Sequence, residues 1–294
     1  MSPILRQLGT FAAVLAALFA AGTLAGRLID PGAPGGEAEA EAGAHDNASK
    51  EMDAMNGEHA EMAADPVRGL AIAEHGLRVV VEDPELRRGR TEQLRFRIVD
   101  DKGATVRDFD VEHTKRMHLI VARRDLTGFQ HLHPEMAADG TWSTPLELNE
   151  AGSYRIFADF SHDEEATTLA GDLRVDGEAD LHPLPAPTTT AVSDGGYDVA
   201  LESGAARAGE ESALRFTVTK DGRPVATEPY LGADGHLVAL REGDLAFLHV
   251  HPTDAAGDSI GFEATFPTTG SYRLFLQFKV NGEVQTVAFT EDVA

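Results

Sequence analysis

Six of the chain's twelve histidines fall into two triplets with the same internal spacing. In each, a histidine is followed thirteen residues later by a His-X-His-Pro run: His118 with His131 and His133, then His236 with His249 and His251. Neutral imidazole nitrogen is a ligand for both copper and zinc. Side chains along a strand alternate, so His131 and His133 share a face, as do His249 and His251. The thirteen-residue interval fits a hairpin turning near Arg123–Thr127 or Arg241–Asp244. Such a hairpin brings His118 or His236 back beside its own pair, and each triplet is therefore a candidate metal site. Two further histidines, His113 and His162, occur only in the first copy, where Val280 is the counterpart of His162. They mark the first copy as the stronger site. Met117 points away from His118 in an ideal strand and is expected in the core.

A second group of donors lies upstream. Met52, Met55, His59 and Met62 fall at i, i+3, i+7 and i+10, which is one face of a helix. Thioether and imidazole together suit copper, Cu(I) above all. Gly57 weakens such a helix by about 1 kcal/mol. The alternative is an acidic tether in which the methionines have no chemical role.

The elements that must position these donors are repeated. His118-Leu119 matches His236-Leu237, the His-X-His-Pro runs match, and Gly152-Ser153-Tyr154-Arg155 matches Gly270-Ser271-Tyr272-Arg273, all at an offset of 118. One offset held across three motifs is an internal duplication. Each copy reads as short strands: Leu94–Val99, Met117–Arg123 and Tyr154–Phe160, then Leu214–Thr219, His236–Leu240 and Tyr272–Val280. Turn chemistry separates them, and Asn281-Gly282 is a two-residue hairpin signal. No long 3.6-residue period interrupts the pattern. The expected fold class is all-β, two tandem immunoglobulin-like β-sandwich domains behind one N-terminal transmembrane helix, with a barrel as the alternative for each domain. The segments are an anchor over 1–29, an acidic His/Met stalk over 30–66, domains over 67–176 and 193–294, and a Pro-rich linker over 177–192.

Leu8 to Gly26 is an uncharged run bracketed by Arg6 and Arg27. As a helix it spans about 28 Å, close to the hydrocarbon thickness of a bilayer. A retained single-pass anchor with a cytoplasmic N-terminus is the expectation. A cleaved signal peptide, which would leave a secreted protein, is the competing one. Either reading exports the domains. The net charge of −24 excludes nucleic acid as a partner and suits cations. The absence of cysteine excludes disulfides, thiolate metal sites and thiol nucleophiles.

The two His-X-His-Pro motifs, the histidine strand before each and the Gly-Ser-Tyr-Arg strands resemble bacterial exported proteins of the YtkA-like and heavy-metal-associated type. The resemblance covers about residues 76–175 and 195–290. It implies an immunoglobulin-like sandwich linked to copper handling, with the six triplet histidines as ligands. The expected function is a membrane-tethered, extracytoplasmic metal-binding protein: a copper carrier, scavenger or buffer, with zinc as the second choice and a protein partner for metal transfer. No catalytic residue and no enzyme activity are expected. One alternative is a structural or protein-binding module without metal. Another is a metal-dependent enzyme of the bicupin kind, from which the chain departs by having its third histidine upstream of the pair.

Overall fold

A computed structural model describes residues 67–248, 250–253 and 259–294. The apolar run Leu8–Gly26, the stalk residues Met52, Met55, His59 and Met62, and His249 lie outside them. Among the described residues every regular element is a strand, and no helix is long and apolar enough to cross a membrane.

The first domain contains β1 (Ala73–Glu74), β2 (Leu77–Val81), β3 (Glu85–Leu86), β4 (Thr91–Asp100), β5 (His118–Arg123), β6 (Gln130–Leu132), β7 (Glu135–Met136), β8 (Trp142–Glu147), β9 (Gly152–His162) and β10 (Glu165–Val175). They form two five-stranded sheets, ordered β1-β2-β4-β8-β7 and β3-β10-β9-β5-β6. Alternation along β4 sends Leu94, Phe96 and Ile98 inward. There they meet Leu119 and Val121 of β5 and Tyr154, Ile156 and Ala158 of β9 from the facing sheet. Met117 joins this core, 1% exposed.

The second domain repeats the plan. Its strands are β11 (Thr190–Val192), β12 (Asp198–Ser203), β13 (Glu211–Lys220), β14 (Arg223–Pro224), β15 (His236–Arg241), β16 (Phe247–Leu248), β17 (His251–Thr253), β18 (Ser259–Thr265), β19 (Gly270–Val280) and β20 (Glu283–Val293). One sheet runs β11-β12-β13-β18-β17 with β14 on β13, and the other β16-β15-β19-β20. Leu214, Phe216 and Val218 of β13 face Tyr272, Leu274 and Leu276 of β19 across the core. Val280 pairs with Glu283 across the predicted two-residue turn, and Asn281 and Gly282 both take the positive φ this turn requires.

The repeated Gly-Ser-Tyr-Arg motif has a local role. Tyr154 donates its hydroxyl to the Glu150 carbonyl at 2.8 Å, and Tyr272 donates to the Thr268 carbonyl at 3.0 Å. Each tyrosine thus pins the turn four residues upstream of it, a corner device found in immunoglobulin-type sandwiches.

The two domains pack together. Odd-numbered residues of β5 fill their own core, while Ile120 and Ala122 point outward into a third apolar cluster with Phe157, Val238, Leu240, Phe247 and Phe275. Strand β5 is buried on both faces for this reason. Phe129 stacks on Phe275 at 4.1 Å between centroids, and Phe157 lies 5.7 Å from Phe247. At the repeat offset Phe129 corresponds to Phe247 and Phe157 to Phe275, so the two pairs are images of one another. The domains therefore meet face to face about an approximate two-fold axis through the histidine-bearing sheets.

The connection between them is shorter and more firmly held than the Pro-rich composition of 177–192 suggests. Thr190–Val192 pairs with β12 as an edge strand. Arg123, 1% exposed, donates to the Asp180 carbonyl at 3.0 Å, and the His182 amide donates to Asp125 at 2.9 Å. Leu184 packs on the interdomain cluster.

Candidate metal centre

Strand β5 opens at His118, and β6 returns antiparallel to it with Ile120 opposite His131 and Leu119 opposite Leu132. Continuing that register sets His133 beside His118, on the same outward face as Ile120. The hairpin expected from the thirteen-residue interval is present, and the face it arms is the one turned toward the second domain.

The geometry is tight. Ring centroids of His118, His131 and His133 lie 4.8 to 5.2 Å apart. One ligand nitrogen from each falls within 4.8 Å of the other two. His118 Nδ1 faces His131 Nε2 at 3.0 Å. Their opposite nitrogens are committed elsewhere. His118 Nε2 donates to the Glu112 carbonyl at 3.3 Å, and His131 Nδ1 donates to Gln277 Oε1 at 2.8 Å. Gln277 is oriented by donating its own Nε2 to Thr286 Oγ1. In these tautomers His118 Nδ1 and His131 Nε2 both present lone pairs across 3.0 Å, whereas the other tautomer of His118 would donate Nδ1–H to His131 and leave the Glu112 carbonyl.

His133 Nε2 is buried and has no hydrogen-bond partner among the described residues. Burial pushes the His131 pKa well below the ordinary value, and His118 and His133 add to this. Burial also lowers His118, against the opposing charge of Asp159. Asp159 stands opposite His118 in the β5–β9 ladder and accepts from Thr168 at 2.6 Å. The ligand set is thus neutral, with one carboxylate at its edge. A cavity of about 50 Å³ opens here, lined by Glu112, His113, His118, His131, Asp159 and His236 among others.

The other sequence-predicted residues divide. His113, in the loop before β5, is within the group, its ring 6.2 Å from His118 and 5.2 Å from His236. His236 opens β15 and joins the first-domain cluster, its ring 6.0 Å from His118 and 5.9 Å from His131. His251 is exposed and pairs with Glu263 in the sheet that does not contain β15. The reason is where the strand crosses over. In the first copy β6 pairs with β5 through Leu132, carrying His131 along it, whereas Val250, the counterpart of Leu132, is no longer in a strand. His162 lies apart, donating Nδ1 to the Asp108 carbonyl at 2.8 Å. It is three residues beyond Asp159 along β9, which reverses its face. His249 and the four stalk donors lie outside the described residues.

Sequence reasoning missed Asp159, Gln277 and the Glu112 carbonyl. The first two occupy one repeat position, opposite His118 and His236 respectively. A polar residue at the same strand position of both copies, half-buried as Asp159 and buried as Gln277, was the available signal.

These features define a class: a duplicated all-β protein whose two-sheet domains dock around a shared imidazole cluster. The chain belongs to the family described as Domain of unknown function (DUF8832), which matches twice, over residues 72–177 and 190–294. No curated protein matches. Among solved structures, the FdeC adhesin of Escherichia coli is similar at 16% identity with a TM-score of 0.27, over 76% of this chain and 66% of that one. The Lin-41 filamin domain is similar at 14% identity and 0.24, over 33% of this chain and 91% of its own. A Salmonella alpha-2-macroglobulin is similar at 13% and 0.28, over 78% of this chain and 15% of its own length. Nothing functional is carried over from them.

Proposed function

We propose that this chain is a membrane-tethered, extracytoplasmic metal-binding protein whose ion is held by His118, His131 and His133. The observation that carries the reading is the pair of ring nitrogens facing one another at 3.0 Å with their other nitrogens already bonded. Two lone pairs at that distance repel unless a proton or a cation lies between them. Burial opposes an added proton, and moving the neutral His118 proton to Nδ1 would forfeit its bond to the Glu112 carbonyl. A cation with metal–nitrogen bonds of about 2.0–2.1 Å holds adjacent ligand nitrogens about 3.0–3.4 Å apart, which matches the His118–His131 pair; His133, whose donor lies within 4.8 Å of theirs, reaches the ion by turning its ring inward.

An all-imidazole site favours Cu(II), with zinc second, since copper heads the affinity order for nitrogen donors. Purely structural histidines would have their ring nitrogens satisfied, and the bare, buried His133 Nε2 argues against that role. The cavity, about 50 Å³, suits an ion and a water better than an organic substrate, whose sites are about 300–1,000 Å³. This weighs against the bicupin alternative. The tyrosine corners support an immunoglobulin-like assignment of both sandwiches. The Leu8–Gly26 run supports an N-terminal anchor, or a signal peptide if cleaved, and the YtkA-like resemblance adds a role in copper handling. A carrier, scavenger or buffer exchanging its ion with a protein partner is the function proposed.

The test is competition against a chelator of known affinity with the purified full-length protein. The wild type is expected to take up Cu(II) near neutral pH, and His131→Ala to weaken uptake at least 100-fold, while His162→Ala has no effect. A wild type that takes up neither Cu(II) nor Zn(II), or a His131→Ala variant that binds as tightly as wild type, overturns the reading.

A further inference from the structure

We infer that the second domain supplies the fourth ligand, Nε2 of His236, so that the bound ion latches the two domains together. This rests on the reading of the first-domain triplet as a metal centre, and deepens it. His236 is the repeat counterpart of His118, and the approximate two-fold axis brings the two rings to 6.0 Å with an interplanar angle of 27°. Its Nε2 is buried without a hydrogen-bond partner among the described residues. The Tyr230 ring packs edge-on against the His236 ring, 5.5 Å between centroids. The cavity is bounded by His118 and His131 from one domain and by His236 and Leu237 from the other.

The second domain already acts on this site. Gln277, opposite His236 in the β15–β19 ladder, fixes the tautomer of His131. Orientation of a metal-bound imidazole through its far nitrogen is a recurrent outer-shell device. With His236 engaged, four neutral imidazoles close the coordination sphere. Four protein ligands make a structural or storage site, whereas three leave a position open for chemistry. Because the donors belong to two domains, ion affinity and domain docking become linked. Whatever strengthens docking tightens binding, and the ion stabilises the docked form.

The experiment uses the full chain and two probes, Cu(II) affinity by chelator competition and the visible spectrum of bound Co(II), which is intense only in four-coordinate tetrahedral sites. His236→Asn is compared with wild type and with His131→Ala, and His236→Gln serves as a second variant if the first folds poorly. The expected result is a 10- to 1,000-fold loss of affinity in His236→Asn with a weakened Co(II) band. In wild type, metal is expected to slow amide hydrogen exchange in β15 as well as in β5. If His236→Asn keeps wild-type affinity and spectrum, or metal protects β5 alone, the latch is overturned while the triplet reading stands. If wild type binds nothing, or His131→Ala also binds as wild type, both fail together.

Discussion

Burial, ahead of neighbouring charge, sets the protonation of the clustered imidazoles. It lowers the His133 pKa to about 4, with His118 and Lys115 adding to the effect. It lowers His236 to about 3, with His113, His118 and His133 adding. An imidazole in the unfolded chain takes a proton near pH 6.5, so between that value and about 4 the unfolded state binds more protons than the folded one. The stability these groups contribute is therefore present above pH 6.5 and lost as pH falls toward their folded values. The metal-free protein should melt at a lower temperature at pH 5 than at pH 7. A His133→Asn/His236→Asn double variant should show a smaller difference. An equal or higher melting temperature at pH 5 contradicts this account. The histidines themselves were legible in the sequence, because six fall at one offset. Asp159 and Gln277 were not read, because a single polar residue within a strand is ordinary until its cross-strand partner is known.

At the scale of elements, the strands came from alternation and the corners from the repeated tyrosine. Removing one corner hydrogen bond costs about 1 kcal/mol. Tyr154→Phe and Tyr272→Phe should each lower the urea midpoint by an amount of that order, and the double variant by about the sum, since the corners are in different domains. Equilibrium unfolding measures this, and an unchanged midpoint in either single variant removes the corner from the account. The edge strand Thr190–Val192 escaped sequence reading because its pairing with β12 is non-local, while its own neighbourhood is rich in proline and threonine. The split behaviour of the two His-X-His-Pro runs was hidden for a related reason. Matching motifs change sheets at different points: Leu132 still pairs with β5, whereas its counterpart Val250 is outside any strand and His251 already pairs with β18, and crossover points depend on the partner strand.

At the scale of the molecule, the third apolar cluster holds the domains together. Phe275 is 4% exposed and stacks on Phe129. Replacing a buried phenylalanine by alanine costs about 3–5 kcal/mol. Phe275→Ala should lose stability of that order, weaken ion uptake through impaired docking, and expose the segment around Leu184 to protease. Limited proteolysis beside chelator competition tests it, and a variant with wild-type cleavage and affinity would mean the cluster does not govern docking.

By itself the sequence determined the all-β class, the duplication and the imidazole composition of the candidate site, since each rests on residue type and spacing along one chain. It suggested two separate triplets, because repeated motifs imply repeated sites when each copy is considered alone. Only the tertiary structure decided that the histidine-bearing sheets face each other. Ile120, Ala122, Val238 and Leu240 bury the outer faces of β5 and β15 against one another, and that contact gathers His118, His131, His133 and His236 into one cluster. The physical reason is that strand periodicity specifies which side chains share a face. What that face is buried against depends on apolar surface contributed from more than a hundred residues away.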